Sequence, residues 1–213
     1  MKKYLNFLKK KKFYLFLVAI IGFLVITIFV LKDGILGIDR DSYLFIKNYL
    51  ISDKLTFYVK IITNFGSGIG LIILALLVSY LFKNKKISIA IFGNLIIVFL
   101  INTFLKIIFQ RERPLVDNWL VKEFGYSFPS AHSMVSMAFY GFLIYLIYTN
   151  IEKKKWKYPV IILLSLIILL IGISRIYLGV HYLSDVLAGF LISIAYLVIF
   201  IYFYNKFQNS TDN

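Results

Sequence analysis

Six apolar runs restrict the solvent this chain can fold in. They cover residues 13–31, 55–82, 87–108, 131–149, 158–174 and 183–204. Each is close to or above the roughly 20 residues that a helix needs to cross a bilayer core. In hydrocarbon every backbone N–H and C=O must be bonded within the protein, so such runs are read as helices. The second run is too long for one straight crossing, and its start, with Lys60, Asn64 and Gly66, is expected to be interfacial or tilted. With 61% hydrophobic residues and a mean hydropathy of +0.85, the chain is expected to be an all-α integral membrane protein. The layout is a six-transmembrane-helix bundle in a single domain over 1–213, with a basic N-terminus at 1–12 and a polar tail at 205–213.

The first run follows a basic start, as in a signal peptide, but it is longer than a usual signal core and no small-x-small cleavage signal follows it. It reads as a retained membrane helix. The net charge of +14 does not mark a nucleic-acid surface, because the lysines gather at the ends of apolar runs, at Lys9–Lys12, 83–86 and 153–157. No nucleic-acid partner is expected; the partner is the bilayer. If the N-terminus is cytoplasmic, the inner segments carry 14 basic residues against Glu152 and Asp212, a net of +12, and the outer segments carry 10 basic and 8 acidic residues. The positive-inside rule therefore places both termini in the cytoplasm of a plasma-membrane protein. The absence of cysteine excludes disulfides, thiolate nucleophiles and Cys-type zinc sites.

Against this apolar background the polar chemistry falls in three islands, all assigned to the outer side. In the first, Lys106 and Arg113 are seven residues apart and share a face if the helix continues to Pro114. Two fixed cations suit a phosphate, although Lys and Arg at helix ends also snorkel. In the second, Pro129 is suited to the first position of a helix, which would leave the amides of Ser130, Ala131 and His132 facing an anion. An ordinary capped helix would look the same. In the third, His181 and Asp185 are four apart, within reach of each other, and Arg175 lies nearby. A carboxylate on one ring nitrogen makes the other a better nucleophile or base. His132, His181 and Asp185 could also ligate a metal, but the surrounding cations would repel a divalent ion. The run Gly66-Ser67-Gly68-Ile69-Gly70 lacks the context of a nucleotide loop and reads as close helix packing. Tyr43, Phe45, Tyr49 and Trp119 read as an outer aromatic belt.

Taken together, the islands resemble the type 2 phosphatidic acid phosphatase family. Its first motif, Lys, six residues, Arg-Pro, matches Lys106 to Pro114. Its second, Pro-Ser-Gly-His, appears as Pro129-Ser130-Ala131-His132, with alanine where glycine is usual. Its third, Ser-Arg, five residues, His, three residues, Asp, matches Ser174-Arg175, His181 and Asp185. The motif-bearing core is 106–185. A helical backbone at Ala131 would accommodate the substitution.

The resemblance implies a metal-independent membrane lipid phosphatase that needs no cofactor. His181 would be the nucleophile, Asp185 its orienting carboxylate, and His132 the proton donor to the leaving oxygen. Lys106, Arg113, Ser130, Ala131 and Arg175 would bind the phosphate. Undecaprenyl diphosphate is expected slightly ahead of phosphatidylglycerophosphate or phosphatidic acid as substrate, at a site on the extracytoplasmic face. Two other classes compete: a vanadate-dependent haloperoxidase, whose known relatives are soluble, and a non-enzymatic lipid transporter, which would not need both histidines. Oligomeric state is not encoded in any feature of the chain.

Overall fold

The computed structural model describes residues 2–115 and 119–209, with side chains placed from Lys10 to Gln208. The described residues form eight helices: α1 (Lys2–Asp33), α2 (Gly37–Tyr49), α3 (Asp53–Asn64), α4 (Gly68–Phe82), α5 (Lys85–Phe109), α6 (Ala131–Asn150), α7 (Lys154–Tyr177) and α8 (Leu183–Asn209). Five are long and apolar enough to cross a membrane, and α3 with α4 makes a sixth crossing if the bent pair counts as one span. The bundle is therefore all-helical and multi-pass, as the apolar runs require.

The second crossing is broken rather than tilted: α3 and α4 meet at 55°. The sequence Asn64-Phe65-Gly66-Ser67 interrupts the helical ladder, and local groups take up the freed backbone atoms. The Ser67 N–H and hydroxyl both donate to the Asn64 carbonyl, at 3.1 and 2.8 Å, and Ser67 Oγ accepts from Gly70 N–H at 3.1 Å. Such a break at membrane depth is tolerable where its polar atoms are satisfied by the protein itself.

Both ends of the chain are more helical than the sequence suggests. The basic N-terminus belongs to α1, and α8 runs through the start of the polar tail to Asn209; residues 210–213 lie outside the described part. The segment read as an aromatic belt contains a short amphipathic helix, α2, which buries Asp39 and Ile46 and exposes Phe45 and Tyr49. Trp119 departs from the belt reading. It is half-buried against the cluster that contains Ile46, Val59 and Ile176 and donates from Nε1 to the Pro114 carbonyl at 2.9 Å.

Helix α6 is the centre of the bundle, with Met134, Ala138, Phe139, Phe142 and Leu146 buried among α5, α7 and α8. Buried polar side chains tie it to its neighbours: Asn94 Nδ2 donates to the Ala138 carbonyl at 2.8 Å and Ser193 Oγ to the Met134 carbonyl at 2.7 Å. Between helices in an apolar medium such bonds add to packing, because lipid tails offer the polar groups no alternative. The outer faces of α1 and α5 present Val18, Ile21, Ile28, Ile96, Phe99 and Phe104, as lipid-facing surfaces should.

Candidate active site

The end of α5, the start of α6, the end of α7 and the start of α8 meet at one end of the bundle, and residues 110–115 and 119–130 bond back to them. All three polar islands therefore come together in one layer. The route differs from the sequence expectation in the first island. Helix α5 stops at Phe109 because Gln110 adopts a left-handed conformation (φ 46°), so Lys106 and Arg113 do not share a helical face. They meet on the folded-back segment instead. Lys106 Nζ donates to the Tyr126 carbonyl, while Arg113 donates to the carbonyls of Gly125 at 2.9 Å and Phe124 at 3.0 Å.

The third island is assembled by the turn between α7 and α8. Gly179 takes φ 73°, a left-handed conformation that suits glycine, and the chain reverses so that His181 faces the island. His181 precedes α8 rather than lying on it, and it reaches Asp185 across the turn. Its Nδ1 lies 3.2 Å from Asp185 Oδ2, and its Nε2 lies 3.0 Å from Arg113 Nη1. A guanidinium can only donate, so Nε2 must carry the lone pair and Nδ1 the proton that it donates to Asp185. Asp185 Oδ2 also accepts from the Tyr182 N–H at 3.0 Å. Burial, followed by the charges of Arg113, Lys106, Arg175 and Arg111, holds the His181 ring well below the usual imidazole range, hence neutral at pH 7. The arrangement offers an oriented, uncharged imidazole lone pair among cations.

Arg175 is buried, donating from Nη1 to Thr63 Oγ1 on α3 at 2.7 Å and from Nη2 to Glu123. The same carboxylate lies 3.9 Å from Arg113 Nη2. Two guanidinium groups thus share one side-chain anion.

The second island is corrected in part. Pro129 is not the first helical residue; it precedes Ser130, which is the N-cap, and Ala131 opens α6 in a helical conformation that an alanine accepts without strain. Ser130 is fully buried, its N–H donates to the Asp185 carbonyl at 3.1 Å, and its Oγ accepts from Ser133 N–H at 3.4 Å. Its backbone amide is therefore engaged within the protein and only those of Ala131 and His132 can face an anion. His132 lies in the first turn of α6, within electrostatic reach of Arg175, His181, Arg113 and Lys106. Gly66, at the break in the second crossing, packs against it. A Cβ there would stand 2.5 Å from Ile171 Cγ2, 2.8 Å from Ser136 Oγ and 3.4 Å from His132 Cδ2.

Sequence reasoning missed several contributors. Arg111 bonds to Asp185, Thr63 and Glu123 bond to Arg175, and Asp39 and Ser184 reach the islands through Arg111; none is a fixed residue of a motif, Arg111 and Ser184 standing at variable positions of the first and third. The available signal was an arginine two places before Arg113; Asp39 stands among Asp33, Arg40 and Asp41 and carries no signal of its own. Among the described residues no three His, Asp or Glu side chains converge as a metal-binding group. The donor set also suits a divalent ion poorly, since both Asp185 oxygens are taken by Arg111, His181 and Tyr182 N–H.

Comparison with known proteins follows the same residues. A family model described as PAP2 superfamily matches residues 87–209. Phosphatidylglycerophosphatase B of Bacillus subtilis (strain 168) is 42% identical over 92 residues, 43% of this chain and 45% of that protein. Sphingosine-1-phosphate phosphatase 1 of Rattus norvegicus is 44% identical over 78 residues, 35% of this chain and 17% of that protein. The chain thus spans less than half the length of the curated relatives it matches. Among solved structures, a transmembrane PAP2-type phosphatidylglycerolphosphate phosphatase from Bacillus subtilis superposes with a TM-score of 0.80 at 27% identity, covering 91% of this chain and 97% of that one. LpxE of Aquifex aeolicus superposes with a TM-score of 0.64 at 25% identity, covering 78% of this chain and 96% of that one.

Proposed function

The chain belongs to the PAP2 superfamily, and from that premise we propose that this multi-pass membrane protein is a lipid phosphatase working through a phosphohistidine on His181. One observation carries the reading. With Arg113 on Nε2 and Asp185 on Nδ1, only the Nδ1–H tautomer satisfies both contacts, so the lone pair is aimed at Arg113, within the field of Lys106 and Arg175, and is freed when Arg113 turns to a phosphate oxygen. Nε2 attacks phosphorus, and the bond from phosphorus to the lipid oxygen breaks as the N–P bond forms. Asp185 holds the positive charge that the ring acquires. Arg113, Arg175, Lys106 and the amides of Ala131 and His132 take the equatorial oxygens, where charge concentrates in the transition state. The phosphate dianion beside His132 favours the protonated ring, which gives its proton to the departing alkoxide. The neutral ring then takes a proton from water, the resulting hydroxide attacks phosphorus, and the N–P bond breaks to release phosphate. The cations supply the neutralisation that Mg²⁺ supplies in other phosphoryl-transfer sites, so no metal is required.

The substrate is a lipid whose phosphate reaches the membrane surface. The named relatives act on phosphomonoesters, phosphatidylglycerophosphate and sphingosine 1-phosphate. A phosphatidylglycerophosphate-like monoester therefore fits at least as well as undecaprenyl diphosphate. The charge asymmetry of the segments supports a site on the extracytoplasmic face with both termini inside. The test is phosphate release from the two lipids in detergent, with and without excess EDTA. Activity that persists in EDTA, disappears in His181→Ala and leaves an acid-labile phosphoryl group on the wild-type enzyme is the expected result. Activity lost to EDTA and restored by a divalent ion would overturn the mechanism.

A further inference from the structure

Behind Asp185 lies a buried ionic cluster whose other members, Asp39 and Arg111, the mechanism above does not use. Asp39 on α2, Arg111 in the connection after α5 and Asp185 on α8 are 1%, 9% and 0% exposed. Burying charge is costly unless every polar atom finds a partner. Nearly every one does here. Arg111 Nη1 donates to Asp185 Oδ1 at 2.5 Å and to Ser184 Oγ at 2.8 Å; Nη2 donates to Asp39 Oδ2 at 2.8 Å and to the Gly34 carbonyl at 2.6 Å. Only Arg111 Nε lacks an acceptor. Asp39 Oδ1 accepts from the Ser184 N–H and Oδ2 from the Ser184 hydroxyl, both at 2.8 Å, and Oδ2 also accepts from the Leu36 N–H at 3.2 Å. The Tyr182 ring covers the guanidinium face at 4.2 Å.

We propose that Arg111 and Asp39 are positioning residues that hold the proposed orienting carboxylate, Asp185, in the rotamer that serves His181. The inference rests on the phosphohistidine reading of the site. Asp185 divides its two oxygens, with Oδ1 on Arg111 and Oδ2 on His181 and the Tyr182 amide. Removing Arg111 would leave Oδ1 buried without its ionic partner and the carboxylate free to rotate away from the imidazole. Asp39 acts one step further out. It engages the other end of the guanidinium and, through Ser184, the first turn of α8. It thereby keeps Arg111 turned towards carboxylates, whereas Arg113 and Arg175 face the anion site. A buried charge cluster that only held the fold together would have no reason to terminate on the carboxylate beside His181.

The roles separate by kinetics in the full-length protein, on a short-chain lipid phosphate in detergent. Arg111→Lys keeps one charge and cannot bridge two carboxylates; it should lower kcat by about tenfold to a hundredfold, the range for outer-shell partners, and leave KM and vanadate inhibition near wild type. Asp39→Asn should do the same to a smaller degree. The double variant should be no worse than Arg111→Lys alone, because Asp39 acts through Arg111. Arg111→Gln adds a pH readout. His181 touches Arg113 and Asp185 and is coupled to Lys106, Arg175, Arg111 and His132, with Glu123 behind the two arginines, and loss of the Arg111 charge should move the acid limb of kcat/KM to higher pH. A purely structural role would lower the melting temperature with kcat and the acid limb unmoved. A rise in KM and in the vanadate inhibition constant would make Arg111 a phosphate ligand instead. Either result overturns the proposal, and if Arg111→Gln does not fold, Arg111→Lys and Asp39→Asn decide it. His181→Ala is the control: if that variant turns over, the underlying mechanism fails, whereas an inactive His181→Ala beside normal Arg111→Lys and Asp39→Asn refutes this inference alone.

Discussion

Gly66→Ala is a one-carbon change that tests how His132 is held. The added Cβ would stand 2.5 Å from Ile171 Cγ2 and 2.8 Å from Ser136 Oγ. Carbon atoms pack at about 3.5–4.0 Å, so the α3–α4 break must withdraw from α6 and α7 by about 1 Å. Overpacking of this kind costs about 1–3 kcal/mol, which a six-crossing bundle should survive. The same Cβ would be 3.4 Å from His132 Cδ2, an ordinary contact, so the withdrawal that relieves the other two takes the α3–α4 wall away from the ring and leaves it free to shift by a similar distance. A misplacement of about 1 Å near a reacting group costs about a hundredfold in rate. The loss should depend on the leaving group. A lipid phosphomonoester leaves as an alkoxide and needs the proton from His132, whereas p-nitrophenyl phosphate leaves without it. The expected result is a fall of about a hundredfold on the lipid, much less on p-nitrophenyl phosphate, and unchanged inhibition by vanadate. Equal losses on both substrates would show that Gly66 serves the fold and not the acid. No loss on either would refute the packing argument itself.

Four further outcomes are expected. His181→Ala should abolish turnover on every substrate, while His132→Ala should retain part of its activity on p-nitrophenyl phosphate; a functional His181→Ala would overturn the assignment of roles. Glu123→Gln removes the anion shared by Arg175 and Arg113, and since a charge-assisted hydrogen bond contributes about 1.5–3 kcal/mol, the vanadate inhibition constant should fall by about tenfold or more; a constant that stays or rises would show that Glu123 does not occupy the anion site. His181 is held neutral by burial while the unfolded chain titrates near pH 6.5, so below that pH the unfolded state binds the extra proton and stability falls, by at most about 1.4 kcal/mol per pH unit; thermal unfolding between pH 7.5 and 5.5 should show a steeper loss in wild type than in His181→Ala, and equal slopes would contradict it. In a chain without native thiols, Leu115→Cys, which is 76% exposed next to the site, should react with a membrane-impermeant reagent in intact cells, and labelling only after lysis would reverse the proposed orientation.

Much of this molecule was legible in one dimension because the governing constraints are local. An apolar run of bilayer length has to be a helix wherever it falls, so the crossings could be counted from the chain. The residues of each motif lie within a few positions of one another, and helix ends bring such neighbours to one place, so His181 with Asp185 and Lys106 near Arg113 could be named. Where local chemistry was ambiguous, the tertiary structure decided. Nothing in Asn64-Phe65-Gly66-Ser67 specifies a 55° break rather than a tilt; the packing of Gly66 against Ile171 and Ser136 admits it. Pro129 suited the first position of α6, but the Ser130 side chain caps the helix and it begins at Ala131. The partners Asp39 with Ser184, Arg175 with Thr63 and Arg175 with Glu123 lie 145, 112 and 52 residues apart. A lone Asp or Arg at such separations carries no periodicity and no spacing. Its partner is set by which helix ends are adjacent once the bundle has packed, and a buried charge declares its purpose only when the opposite charge beside it is known.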